Sequence, residues 1–143
     1  MKSRNFYSDR ENLNREILIS DSVMDIVDLR FSTFNQKVSV RNCVINHLLI
    51  HSSFFINGFT IDNCVVKEKV QFEMGGHNKS PIVIHNNIFC GLFVFFDCQF
   101  DEQLSILNNI FKKGSTLFNK TNTFEIEPEV HGNIGVMNVE AIE

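Results

Sequence analysis

The chain has no tryptophan, one tyrosine, two prolines and seven glycines among 143 residues. So few chain-breaking residues argue against a linker-rich or disordered polypeptide. No apolar run approaches the roughly 18 residues of a membrane span. The charged stretch Met1-Lys-Ser-Arg-Asn-Phe-Tyr-Ser-Asp-Arg-Glu11 lacks an apolar export core, so a cytoplasmic protein without membrane association is expected. A net charge of −4 leaves no basic excess, which makes nucleic acid an unlikely partner. Cys43, Cys64, Cys90 and Cys98 form no CxxC pair, and their spacings of 21, 26 and 8 fit no zinc pattern. They are expected to be reduced core thiols, with no metal and no cofactor. Paired carboxylates, a nucleophile elbow, HExxH and a phosphate loop are all missing, so no catalytic residue is assigned. His47, His51, His77, His85 and His131 are dispersed.

What the chain does have is a long period. Asp21, Asn42, Asn63, Asn86 and Asn108 recur about every 22 residues. Each closes the same phrase, such as Phe59-Thr-Ile-Asp-Asn63 or Leu104-Ser-Ile-Leu-Asn108. A fixed long period is the mark of one unit stacked on itself. Asparagine suits a bend because it tolerates a left-handed backbone and bonds neighbouring peptides. Asn63 and Asn86 are therefore expected to be buried bend residues, not ligands.

Each unit splits into two halves of about 11 residues. The third position of each half reads Ile19, Leu29, Val40, Ile50, Ile61, Phe72, Ile84, Phe95, Ile106 and Leu117. The eighth reads Met24, Phe34, Ile45, Phe55, Val66, His77, Phe89, Phe100, Phe111 and Asn122. Two residues before the eighth, the sixth position is mostly small or polar, as at Ser22, Cys43, Ser53, Cys64, Asn87, Cys98 and Asn109, with Lys120 at the last unit. Strand alternation puts positions six and eight on one inward side. Apolar spacings of 2, 5 and 6 exclude an amphipathic helix, which needs 3 and 4. A sandwich of short antiparallel strands would explain turns every 8–12 residues, but not bend chemistry repeating at 22.

The phrases Ser32-Thr-Phe34, Cys43-Val-Ile45, Cys64-Val-Val66 and Cys98-Gln-Phe100 resemble the pentapeptide-repeat proteins. The match covers residues 17–122, but its spacing alternates five and six where that family holds five. The asparagine series is similar to that of larger right-handed parallel β-helices such as the polysaccharide lyases. The resemblance implies an all-β, single-stranded, right-handed parallel β-helix of about five coils with terminal caps. Residues 1–16 are expected to form an N-terminal cap, with a helix over 9–15 started by the capping box Ser8–Glu11. Residues 17–124 form the β-helix, and 125–143 a capping or covering tail.

Outward positions are where function would sit. One row places Asp62 between Arg41 and His85, and another places His51 beside Glu73 as an acid/base candidate. Inter-coil ion pairs of little energetic value are the simpler explanation of both rows. The less ordinary feature is apolar. Val23, Val44, Val65, Ile88 and Ile110 would form a stripe on one outer face, and Val94, Phe96 and Phe118 a second patch. A bare stripe of this kind marks a partner surface, a homodimer face or a segment covered by a chain terminus; strand propensity alone is the other explanation. The expected function is a non-enzymatic protein-interaction or structural module. The alternatives are a carbohydrate-active or other small-molecule enzyme on a β-helix, or a target mimic of the pentapeptide-repeat kind. The mimic would need a continuous acidic face, which the sequence lacks.

Overall fold

The computed structural model describes residues 4–8 and 14–140. The first strand is β1 (Arg4–Tyr7). The next turn carries β2 (Ile17–Ser20), β3 (Val23–Asp28) and β4 (Thr33–Phe34), followed by β5 (Val38–Arg41), β6 (Val44–Leu49) and β7 (Phe54–Phe55). Then come β8 (Phe59–Asp62), β9 (Val65–Val66) and β10 (Val70–Glu73), and β11 (Ile82–His85), β12 (Ile88–Phe89), β13 (Phe93–Phe96) and β14 (Gln99–Phe100). The last turns hold β15 (Leu104–Leu107), β16 (Ile110–Phe111), β17 (Thr123–Phe124) and β18 (Glu129–His131).

Every strand pairing is parallel and joins one turn to the next. The first long sheet has the order β1-β3-β6-β9-β12-β16, and the second β18-β15-β11-β8-β5-β2. Two shorter sheets close the other sides, β10 with β13 and β4–β7 with β14–β17, the latter two pairs linked through bridges from Gly76 to Phe54 and Gln99. The protein is an all-β parallel solenoid of about six turns, one more than the repeat suggested. The additional rungs come from the ends. Strand β1 adds in parallel to β3, and β18, within the expected tail, adds to β15. The described residues contain no helix, and so none able to cross a membrane. Most of the helix expected over residues 9–15 lies outside the described residues; Asn14 and Arg15 form a turn and bend, not a helix.

The period-two alternation dictates the interior. All ten third-position residues, Ile19 through Leu117, are buried. Most eighth-position residues join them, and their phenylalanines stack along the axis. Phe34 lies over Phe55 with ring centroids 5.3 Å apart, and Phe89 over Phe111 at 5.1 Å. At His77 the column departs from the pattern. Its backbone is left-handed (φ 51°) and its ring packs outward against Phe54 at 4.5 Å. The Phe72 ring fills the vacated place, edge-on to Phe55 at 6.0 Å and to Phe100 at 5.9 Å. Gly75 makes this possible, because any Cβ there would run into that ring.

The last unit corrects the register read from the sequence. The turn at Asn119–Asn122 inserts residues, so Asn122 occupies the sixth position and Phe124 the eighth. Asn122 Oδ1 accepts the Cys98 amide, and Phe124 pairs with Phe100 and stacks on it at 5.6 Å.

Corners explain the small polar positions. A residue with φ near +55° turns the chain at Asp21, Phe31, Asn42, Ser52, Asn63, Met74, Asn86, Asp97 and Asn108. The bend is thus the same in both halves, and asparagine is one solution to it. The left-handed corner throws its side chain outward: Asn63 and Asn86 are exposed, which corrects the expectation that they are buried. The following residue points in. Its side chain reaches the carbonyl of the third-position residue one turn earlier: Asn87 donates to Ile61, Asn109 to Ile84, Ser53 to Leu29 and Cys98 to Phe72. The Cys43 and Cys64 thiols lie 3.9 and 3.7 Å from Ile19 O and Val40 O and closer, 3.1 and 3.4 Å, to Arg41 O and Asp62 O. Buried carbonyls left without ladder partners need such donors.

Asn87 and Asn109, each 1% exposed, go further. Asn109 Oδ1 accepts both the backbone and side-chain N–H of Asn87, and Asn133 Oδ1 does the same for Asn109. The thiols of Cys43, Cys64 and Cys98 are buried and free, whereas Cys90 is free but half-buried on an outward position, which corrects the expectation that all four are core thiols. Burial pushes Cys98 up to about 12. The hydrogen bond with Cys43, then burial, carries Cys64 above the usual thiol range.

Candidate interaction face

The stripe is assembled by the register of the first long sheet. Val23 pairs with Val44, Val44 with Val65, Val65 with Ile88 and Ile88 with Ile110. Alternation along each strand turns these side chains outward while Met24, Ile45, Val66, Phe89 and Phe111 turn in. Val23 is 41% exposed and the other four are half-buried by their neighbours in the row. A bridge from Ile110 to Ile134 continues the row by one residue, and Ile134 is 66% exposed. The sequence leaves this segment open between an edge strand and a covering tail, and the bridge favours the strand. The signal for it was the weak strand phrase at Ile134-Gly-Val136.

Polar rows flank the stripe. On one side stand the exposed corner residues Asp21, Asn42, Asn63, Asn86 and Asn108. Asn42 Nδ2 donates to Asp21 Oδ1 at 3.1 Å and Asn63 Nδ2 to Asn42 Oδ1 at 2.8 Å, whereas Asn86 bonds Asp62 instead. On the other side run Asp25, Asn46, Lys67, Cys90 and Lys112, placed in line by backbone bonds from Lys67 N to Ile45 O, Cys90 N to Val66 O and Lys112 N to Phe89 O. Asn46 Nδ2 donates to Asp25 Oδ1 at 3.0 Å. The result is an aliphatic strip with a polar rim on both sides, and the described parts of both termini are bonded to the ends of the stack rather than laid along it.

The second patch does not hold together. Val94 is 5% exposed, Phe96 is half-buried and Phe118 is 51% exposed. The tail comes close here, since Phe118 N–H donates to Met137 O. Val94 therefore adds no accessible surface to a patch.

The polar rows are joined as their register requires. Arg41 Nη1 meets Asp62 Oδ2 at 3.2 Å, while His85 turns from Asp62 to Ser105, with Nε2 and Oγ 2.7 Å apart. His51 Nε2 lies 3.2 Å from Glu73 Oε2, and its Nδ1 lies 2.7 Å from Ser52 Oγ. Gln71 Nε2 donates to the other Glu73 oxygen at 2.9 Å. Beside this group a hollow of about 160 Å³ is lined by Arg30, Phe31, Leu48, Leu49, Ile50, His51, Lys69 and Gln71. Among the described residues no three His, Cys, Asp or Glu side chains gather as a metal site.

No protein-family model, curated protein or solved structure matches the chain.

Proposed function

We propose that the protein is a non-enzymatic interaction module that binds another protein surface through the Val23/Val44/Val65/Ile88/Ile110 row. The observation carrying this reading is a continuous, in-register aliphatic row left facing outward on the first long sheet and rimmed by polar residues. A dry apolar centre with a polar rim is the general plan of a protein interface. Apolar burial contributes roughly 25 cal/mol per Å², so covering the row stabilises a complex. The coil is read as right-handed, the hand that crossovers between parallel strands adopt, in an arrangement like that of the pentapeptide-repeat proteins. Buried free thiols fit a reducing, cytoplasmic setting.

The test is Val65→Asp combined with Ile88→Asp. Both side chains point outward, so the fold is expected to survive with an unchanged circular-dichroism spectrum. A charge facing an apolar surface is costly to bury, so association should weaken by about tenfold or more, equivalent to 1.4 kcal/mol or above. Light scattering reads this out for self-association, and titration with a protein that copurifies from the native cell would read it out for a different partner. Unchanged association would remove the face from consideration.

A second reading, an esterase-like enzyme, draws on Ser52, His51 and Glu73. With Nε2–H donating to Glu73, His51 Nδ1 is left to accept the Ser52 proton, which is the arrangement of a general base on a nucleophile. Ser52 oxygen would attack an ester carbonyl, its proton would pass through His51 to the leaving alcohol, and water would repeat the steps to release the acid. Hydrolysis of a short-chain aryl ester that vanishes in Ser52→Ala would support this. A wild-type rate no higher than that of the Ser52→Ala protein would dismiss it.

A further inference from the structure

We infer that the partner on this face is a second copy of the chain, packed face to face with its turns running in the opposite direction. This rests on the aliphatic row being a docking face and adds to it the occupant and the orientation. A row of like residues is complementary to itself, which is what a twofold interface requires. Two orientations keep row on row. In one, the twofold axis runs along the solenoid, and the Asp25 row of each copy faces the corner row of the other. Asp25 then meets Asp21, and two like charges oppose across the interface. In the other, the axis runs along the strands through Val65. The order of turns is reversed between copies, so Val23 meets Ile110 and Val44 meets Ile88.

The second orientation also sorts the charges. Asp25 of one copy faces Lys112 of the other, twice by symmetry, and Asn46 faces Cys90. Asp25 is half-buried and its Oδ1 accepts from Asn46 Nδ2; Lys112 is exposed with no ion pair among the described residues. Each is therefore available to the other copy. Lys67 falls on the axis, where two exposed lysines can splay into solvent. Charge complementarity fixes orientation and suppresses the wrong pairing.

The size of the face sets the strength. Five rungs and the span between the two flanking rows measure roughly 24 Å by 13 Å from strand spacing and rise. That is well short of the ~800 Å² each partner gives a standard interface. The dimer is accordingly weak and dissociates on dilution.

Sedimentation velocity across a dilution series tests this with three variants. Asp25→Lys alone and Lys112→Asp alone each put like charges opposite one another and should weaken dimerisation by about tenfold. Asp25→Lys together with Lys112→Asp restores opposite charges across the twofold and should recover affinity to near wild type. All three alter exposed or half-exposed polar positions, and an unchanged melting curve verifies that they fold. A double variant no better than the singles overturns the proposal. So does a stronger dimer from Asp25→Lys alone, which selects the orientation with turns running the same way. A wild-type protein that stays monomeric throughout also overturns self-pairing, while the Val65→Asp/Ile88→Asp titration still decides whether the face binds a different protein.

Discussion

Phe72→Ala is expected to cost about 3–5 kcal/mol, the range for deleting a fully buried aromatic ring. Phe72 has no solvent exposure and is the ring at which two columns meet. It packs edge-on to Phe55 and Phe100 and tilted on Phe95 at 6.0 Å. It also stands in for the eighth-position side chain that His77 withholds, so its removal opens a cavity that no neighbour is placed to fill. Equilibrium denaturation in urea would show a lower midpoint at an unchanged slope. A cost under about 1 kcal/mol, too small for a buried-ring cavity, would mean that this turn is not closed by Phe72.

The second large effect concerns buried amides. Asn109→Leu keeps the volume close and removes four hydrogen bonds. Two of these leave orphaned backbone groups: the N–H of Asn87 and the carbonyl of Ile84. An unsatisfied buried group costs about 1–3 kcal/mol, so roughly 2–6 kcal/mol is expected in sum. Asn109→Cys should cost less than half of that. The same position one and two turns below Asn87 already holds Cys64 and Cys43, whose thiols lie within 3.9 Å of the matching carbonyls. Equal losses for leucine and cysteine in denaturant titrations would contradict the role assigned to the side-chain donor.

These two effects mark what was and was not legible in the sequence. The interior third positions could be read directly, because an apolar residue every 10 to 12 positions leaves strand stacking as the consistent choice. The stripe could be read for the same reason, since alternation and period together fix both face and row. The amide positions were misread by one residue. Asn63 and Asn86 were expected inside, but a left-handed corner aims its own side chain at solvent and the next one inward. The doublets Asn86-Asn87 and Asn108-Asn109 carried the signal, together with the small hydrogen-bond donor that follows every corner except Met74, where Gly75 stands.

The last turn was hidden for a different reason. The Asn119–Asn122 turn shifts the phase, and β18 offers a single inward residue, Val130, between Glu129 and His131. Val94 was expected in an outward patch, but it is 5% exposed. Its exposure depends on what packs over it, and alternation along one strand carries no information about that.

The most direct test of the central claim follows the row itself. Methyl-labelled valine and isoleucine resonances would be recorded with a soluble paramagnetic agent at high and at low protein concentration. The account predicts that the methyls of Val44, Val65 and Ile88 are bleached when the protein is dilute and protected when it is concentrated, while those of the buried Val40, Ile61 and Ile84 are protected in both. If particle mass rises with concentration while the Val65 and Ile88 methyls stay bleached, the interface lies elsewhere on the molecule. If those methyls are bleached at every concentration, alone and in an extract of the native cell, the row is bare strand surface and not an interaction face.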